Sequence, residues 1–146
     1  MGLRMACEAS DLVTSVVSLA GSTFEEASTC APAERPVSVL LMHGDADATI
    51  PYDGSEAPGF RFPGALETAA RFASVADCAA TGASLPNRDL LHNIDGDESE
   101  ILSYGDCGDD VTVELWSMIG APHVPLGFRP STLDAMSGWV LDHPRG

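Results

Sequence analysis

Apolar residues along the 146-residue chain fall into two kinds of block. Residues 37–42, "VSVLLM", are nearly continuous in Val, Leu and Met and stop abruptly at His43-Gly44. A short apolar run bounded by turn residues is how a strand covered on both faces of a parallel sheet reads. Residues 11–21, "DLVTSVVSLAG", are rich in Val between Asp11 and Gly21 and predict a short buried strand. Residues 111–119, "VTVELWSMI", alternate at first and then turn apolar, which predicts another.

The other blocks have helical spacing. "LRMACEA", near the start, holds good helix formers with little β-branching. In "GALETAARFASVADC", residues 64–78, Leu66, Ala69, Ala70, Phe72, Ala73 and Ala76 can share one face. "STLDAMSGWVLDH", residues 131–143, predicts a C-terminal helix with Ser131 as N-cap, Asp134 in the first turn and Pro144 closing it. Between these blocks lie loops. Residues 22–36 are punctuated by Pro32 and Pro36, residues 45–63 are rich in Gly, Pro and Asp, and residues 120–130 are rich in Pro. Residues 81–97 are polar and irregular, with a short strand expected at 89–94. The alternation of strands and helices predicts one α/β domain over residues 1–146, a parallel sheet flanked by helices.

Composition narrows the partners. A chain this long supports one hydrophobic core, and 45% of its residues are hydrophobic. Net charge is −15, from 22 acidic against 7 basic residues, so no basic cluster exists to neutralise a phosphate backbone; no nucleic acid is expected. The same charge repels an anionic membrane surface, and no apolar run approaches the roughly 20 residues needed to span a bilayer. Four widely spaced cysteines, Cys7, Cys30, Cys78 and Cys107, show no zinc spacing. Their even number suits two disulfides in an exported protein, in any of three pairings, or four thiols in the cytosol. "GLRMACEAS" has no basic region leading into an apolar one, so it is no signal peptide and reads as the middle of a helix. The chain is therefore expected to be a piece of something longer.

In open α/β sheets reactive groups collect in loops at the carboxyl ends of strands. Two such loops are "HGDAD", residues 43–47, and "GAPHVP", residues 120–125. A base histidine needs a carboxylate that fixes its tautomer and stabilises the imidazolium. Asp47 and His123 have the right types, and Asp45 is the rival acid. Tyr52 and Phe60 border the acidic loop and are candidates for the wall of a substrate cleft. His43 is expected to order that loop by hydrogen bonding, while His92 and His143 read as surface residues. Trp116 and Trp139 read as core. "IDGDESE", residues 94–100, masses carboxylates without the regular spacing of a calcium loop and reads as a solvated turn.

The "HG-x-x-D" of His43 to Asp47, followed by "IPY", closely resembles the acid-bearing turn of α/β-hydrolase esterases. The specific likeness is to the secreted family of polyhydroxybutyrate depolymerases and feruloyl esterases. Further landmarks in that family's order are "RMACEAS", the strand ending "SLAGS", "CAPAERPVSVLLMHGDADATIPYDG", "SYGDCGDDVTVELWSMIGAPHVP" and the closing "HPRG". The resemblance implies the C-terminal part of an α/β-hydrolase fold in a secreted enzyme. That enzyme would cleave polyester or acylated-polysaccharide esters, with Asp47 as triad acid, His123 as triad base and no metal or cofactor. It also points to disulfides Cys78–Cys107 and then Cys7–Cys30. The family usually carries Gly-rich sequence before the histidine and Thr-Trp-Pro after it, whereas here Ala121-Pro122 precede and Val124-Pro125 follow.

The nucleophile of that family sits on a Gly-x-Ser-x-Gly elbow, and no such sequence occurs here. Ser10, Ser15, Ser18, Ser22 and Ser55 have no elbow around them. The expectation is a C-terminal fragment that carries acid and base without the attacking group and is inactive alone. The alternatives are a non-catalytic binding module, or a second polypeptide that supplies the nucleophile. Loss of the preceding strands would leave a sheet edge open to self-association.

Overall fold

All seven residues of the strand β2 (Ser38–Gly44) are buried, and the rest of the chain is arranged around it. The computed structural model describes residues 1–30 and 35–144; Pro32, within the expected 22–36 loop, and the last two residues of "HPRG" lie outside the described residues. Before β2 come helix α1 (Gly2–Glu8) and strand β1 (Ser15–Leu19). After it come a hairpin of β3 (Gly54–Ala57) and β4 (Phe60–Pro63), helix α2 (Ala65–Val75), strands β5 (Ala83–Arg88), β6 (Ser99–Tyr104) and β7 (Val113–Met118), and helix α3 (Pro130–Asp142).

Five strands form one sheet in the order β1-β2-β7-β6-β5, and β3-β4 form a separate ribbon. The pairs β1/β2 and β2/β7 are parallel, while β6/β7 and β5/β6 are antiparallel. The expected parallel sheet, as the C-terminal part of an α/β-hydrolase fold, is therefore corrected: the architecture is a mixed α/β sheet. The reason lies in the connections. Parallel neighbours need a crossover of a dozen or more residues, usually a helix, whereas residues 89–98 and 105–112 return the chain without an α-helix.

Other expectations shift too. The strand expected at 89–94 is loop, and the strand lies earlier, at β5, where Pro86 sits on the sheet's edge beside a register break between Leu85 and Arg88. An edge strand tolerates the missing N–H. Strand β6 and the β3/β4 hairpin were hidden by polar composition. Strand β1 is an edge strand in which only Val16 is buried. On α2 the buried face is Ala65, Thr68, Ala69, Phe72 and Ala73, with Leu66 and Ala70 turned outward. Counting back from Phe72, the buried positions fall at three, four and seven residues, which is one helix face; Leu66 and Ala70 fall at six and two. Helix α3 begins at Pro130 rather than after Ser131, since the ring's fixed φ suits the first helical position.

Alternation along β2 feeds two cores. Val39 and Leu41 pack with Leu3, Phe72 and Leu115 on the side of α1 and α2. Leu40 and Met42 pack with Trp116, Met118 and Trp139 on the side of α3. Glu114 is buried in this second layer because both indoles need an acceptor: its Oε2 takes the N–H of Trp116 at 2.8 Å and of Trp139 at 3.1 Å. Disulfide Cys7–Cys30 ties α1 to a 3-10 turn at Ala27–Cys30, and Cys78–Cys107 ties the chain beyond α2 to the β6–β7 turn. Each removes unfolded-state entropy worth about 3 kcal/mol in the chain-entropy account, and two of them fit an oxidising environment. Among the described residues no helix is long and apolar enough to cross a membrane.

Candidate acid–base site

Because β2 and β7 are parallel neighbours with Gly44 opposite Met118, the chain leaves both strands at the same edge. The two loops that follow are stitched together. The Asp45 N–H donates to the Met118 carbonyl at 3.1 Å and the Ala46 N–H to the Ala121 carbonyl at 3.2 Å. The Asp45 side chain returns the contact, its Oδ1 accepting the Gly120 N–H at 2.5 Å. Gly120 has φ +77°, a turn conformation that favours glycine. Gly44 is required by proximity, since a Cβ there would overlap the carbonyl of Ala121.

This stitching brings together two residues 76 positions apart. His123 Nδ1 lies 2.8 Å from Asp47 Oδ2. A carboxylate can only accept, so Nδ1 carries a proton, and in the neutral imidazole that leaves the lone pair on Nε2. The other oxygen, Oδ1, accepts the backbone N–H groups of Thr49 and Ile50, each at 2.8 Å. The Asp47 side chain is fully covered, while that of His123 is 34% exposed. Burial pushes the Asp47 carboxyl up. The hydrogen bond from His123, those from Ile50 and Thr49, and the positive charge His123 can carry together outweigh it and hold the group below the usual carboxylate value.

Of the two candidate acids, Asp47 meets His123 and Asp45 is committed to Gly120. Tyr52 stands behind the carboxylate. Its hydroxyl shares a 2.6 Å hydrogen bond with Ser117, and its ring meets His43 edge-on at 5.6 Å. Burial pushes the Tyr52 phenol up; the Ser117 bond works against that and the charges of Glu100, Asp53 and Asp45 add to it. Phe60 is exposed on β4, edge-on to Phe62. His92 and His143 each bond a backbone carbonyl, of Gly127 and Trp139 respectively. Among the described residues no His, Cys, Asp or Glu group of three or more is arranged to hold a metal ion.

Three of the candidate serine hydroxyls bond elsewhere. Ser22 donates to the Pro63 carbonyl at 2.6 Å, Ser55 accepts the Ala57 N–H, and Ser15 donates to Val140. The dyad sits on an open rim. A hollow of about 470 Å³, lined by Thr14, Arg35, Ser38, Asp109 and Asp110 among others, lies at the amino end of β2, away from it.

Two features escaped the sequence reading. The acidic "IDGDESE" segment is not wholly solvated: Glu98 is buried, with both carboxylate oxygens accepting the Leu90 N–H and Oε1 also accepting the Ser99 hydroxyl. His43, expected to order the loop, also lies against the carboxylate itself, its Nε2 3.2 Å from Asp47 Oδ2. The signal was the four-residue spacing within "HGDAD". Chemically, the arrangement presents a buried, fully hydrogen-bonded carboxylate that orients a partly exposed imidazole as a proton acceptor. No protein-family model matches the chain, and no curated protein matches it.

Proposed function

We propose that these residues supply the acid and base of a carboxylic-ester hydrolysis, in an exported serine esterase like the polyhydroxybutyrate depolymerases and feruloyl esterases that the two loops resemble. The nucleophilic serine would come from a segment outside these 146 residues. The observation that carries the reading is the 2.8 Å contact between His123 Nδ1 and Asp47 Oδ2 at the common edge of two parallel strands. With Nδ1–H held by the carboxylate, Nε2 takes the proton of the serine hydroxyl as its oxygen attacks the ester carbonyl. The imidazolium then gives that proton to the leaving alcohol, and an acyl-serine remains. Water repeats the sequence and releases the acid. Asp47 stays ionised throughout and stabilises the transient imidazolium. The two disulfides support an extracellular or periplasmic setting. The outer edge of β1 is where a further strand, or a second copy, would pair.

The test is hydrolysis of a short-chain p-nitrophenyl ester. The chain alone is expected to give none above buffer. Joined to a segment bearing Gly-x-Ser-x-Gly, it is expected to hydrolyse the ester, with His123→Ala costing about 10⁴-fold or more. An active assembled protein indifferent to His123→Ala would sink the reading. A second reading, a non-catalytic binding module, is favoured by Ser15, Ser22 and Ser55 being engaged away from His123. It predicts a soluble monomer with saturable ligand affinity.

A further inference from the structure

We propose that His43 is a positioning residue, holding the Asp47 carboxylate in place for His123 by packing its ring, anchored through Nε2–H to the Ile50 carbonyl, against Oδ2. The inference rests on the acid–base reading of Asp47 and His123 and adds a third side chain to it. His43 Nε2 lies 2.9 Å from the Ile50 carbonyl and 3.2 Å from Asp47 Oδ2. A carbonyl only accepts, so Nε2 carries a proton, and that proton is directed at the Ile50 oxygen with Asp47 Oδ2 beside it. Neither side chain is open to water: His43 is 3% exposed and Asp47 0%.

The Asp47 carboxylate has three donors, Thr49 and Ile50 on Oδ1 and His123 on Oδ2, and the His43 ring nitrogen lies against Oδ2 as well. The terminal torsion of an aspartate is otherwise broad, and the two backbone donors reach only one oxygen. His43 supplies the restraint on the other. It is itself immobile, with its backbone in β2 opposite Ser117 and its ring edge-on to Tyr52, whose hydroxyl bonds Ser117. The contacts therefore run from β7 through Ser117, Tyr52 and His43 to Asp47 and His123.

Packing does not explain the residue type. Position 43 is next to last in an all-buried strand, its preceding four residues are Val39, Leu40, Leu41 and Met42, and an aliphatic side chain would continue that run. A buried imidazole is costly unless hydrogen-bonded, and here the bonds it makes are to the loop carrying Asp47.

The experiment reads the His123 Nδ1–H proton by NMR in protein labelled with ¹⁵N-histidine. In the wild type this proton is expected downfield and slow to exchange with water. His43→Leu fills the volume without a donor, and should speed its exchange roughly tenfold or more while the amide spectrum stays native. His43→Gln places an amide N–H near the Nε2 position and should retain the signal. A native-like His43→Leu protein with unchanged exchange, or a folded His43→Gln protein without the signal, overturns the proposal. If His43→Leu does not fold, His43→Asn, whose shorter amide stops short of Asp47, takes its place with the same expected loss. Asp47→Asn separates the two claims. A signal that survives Asp47→Asn defeats the acid–base reading, whereas one that needs Asp47 and ignores His43 defeats only this inference.

Discussion

The turn after β2, residues 44–50, and the turn between β6 and β7, residues 105–112, are both acidic and glycine-bearing, and in the sequence they look alike. The first is held by polar contacts alone. Asp45 is bonded to Gly120, Asp47 to Thr49, Ile50 and His123, and the loop backbone to the 118–121 segment. The second is held covalently. Asp106, Asp109 and Asp110 are exposed, each with φ 53°, a conformation Asp tolerates better than most residues, and Cys107 anchors the turn to Cys78. The difference teaches where charge is spent on structure and where on solubility. A buried carboxylate that accepts hydrogen bonds on both oxygens and whose pKa is pulled down defines a site; one that faces water adds to the net charge of −15 and little else.

Breaking the covalent turn gives the largest effect. Replacing both Cys78 and Cys107 by Ala opens a loop with a sequence separation of 29 and is expected to cost about 3–4 kcal/mol in chemical denaturation. The His123 Nδ1–H signal should survive in the fraction that remains folded. Loss of that signal along with the bridge would mean that the two turns are not independent.

Next comes Asp47→Ala. It leaves the Thr49 and Ile50 N–H groups and the His123 Nδ1–H without their acceptor, at a position whose native side chain is fully covered. Unsatisfied buried donors cost about 1–3 kcal/mol each, partly recovered as the loop relaxes, so a loss of about 2–3 kcal/mol is expected from urea midpoints. A loss under about 0.5 kcal/mol would place Asp47 with the exposed aspartates of the other turn.

How much of this was legible from residue types follows the same division. The buried run ending at His43-Gly44 announced β2 by local patterning, whereas "HGDAD" with "GAPHVP" offered Asp45 or Asp47 with His123 by chemical type, and the family resemblance picked out Asp47. Sheet direction was not legible. Whether β6 runs with or against β7 depends on residues 105–112 being too short for a crossover, and that could be judged only with β6 recognised. Its sequence "SEILSY" buries Ser99 and Ile101 on one face and Tyr104 on the other, so no clean alternation shows among the polar letters. Glu98 and Glu114 were hidden for a related reason. Their partners, the Leu90 N–H and two indoles, are set by tertiary packing and leave no mark at fixed spacing.

A smaller effect is read against pH. The folded Asp47 carboxyl is held below its ordinary value, so the unfolded chain binds that proton more readily than the folded one. Its contribution to stability is complete above the unfolded value near 4 and is lost as pH falls through the lower folded value. Urea midpoints measured between about pH 5 and pH 2 should therefore fall more steeply in the wild type than in Asp47→Asn, which has no proton to take up. Parallel slopes would deny the carboxylate its privileged state.

The smallest effect is expected from Asp110→Asn, and it bears most directly on the contrast between the turns. Asn keeps the size of the side chain and tolerates the positive φ that Asp110 adopts, so only the charge changes. If the turn between β6 and β7 is secured by its disulfide and its aspartates serve the solvent, the midpoint should move by less than about 0.5 kcal/mol, with no change in its pH slope over the acid range. Because the chain carries an excess of negative charge, the direction should be slight stabilisation at low salt that fades as salt screens the repulsion. A loss of 1 kcal/mol or more, persisting in high salt, would reveal a partner for Asp110. The two turns would then be alike in kind, and bonded carboxylate oxygens would no longer single out Asp47.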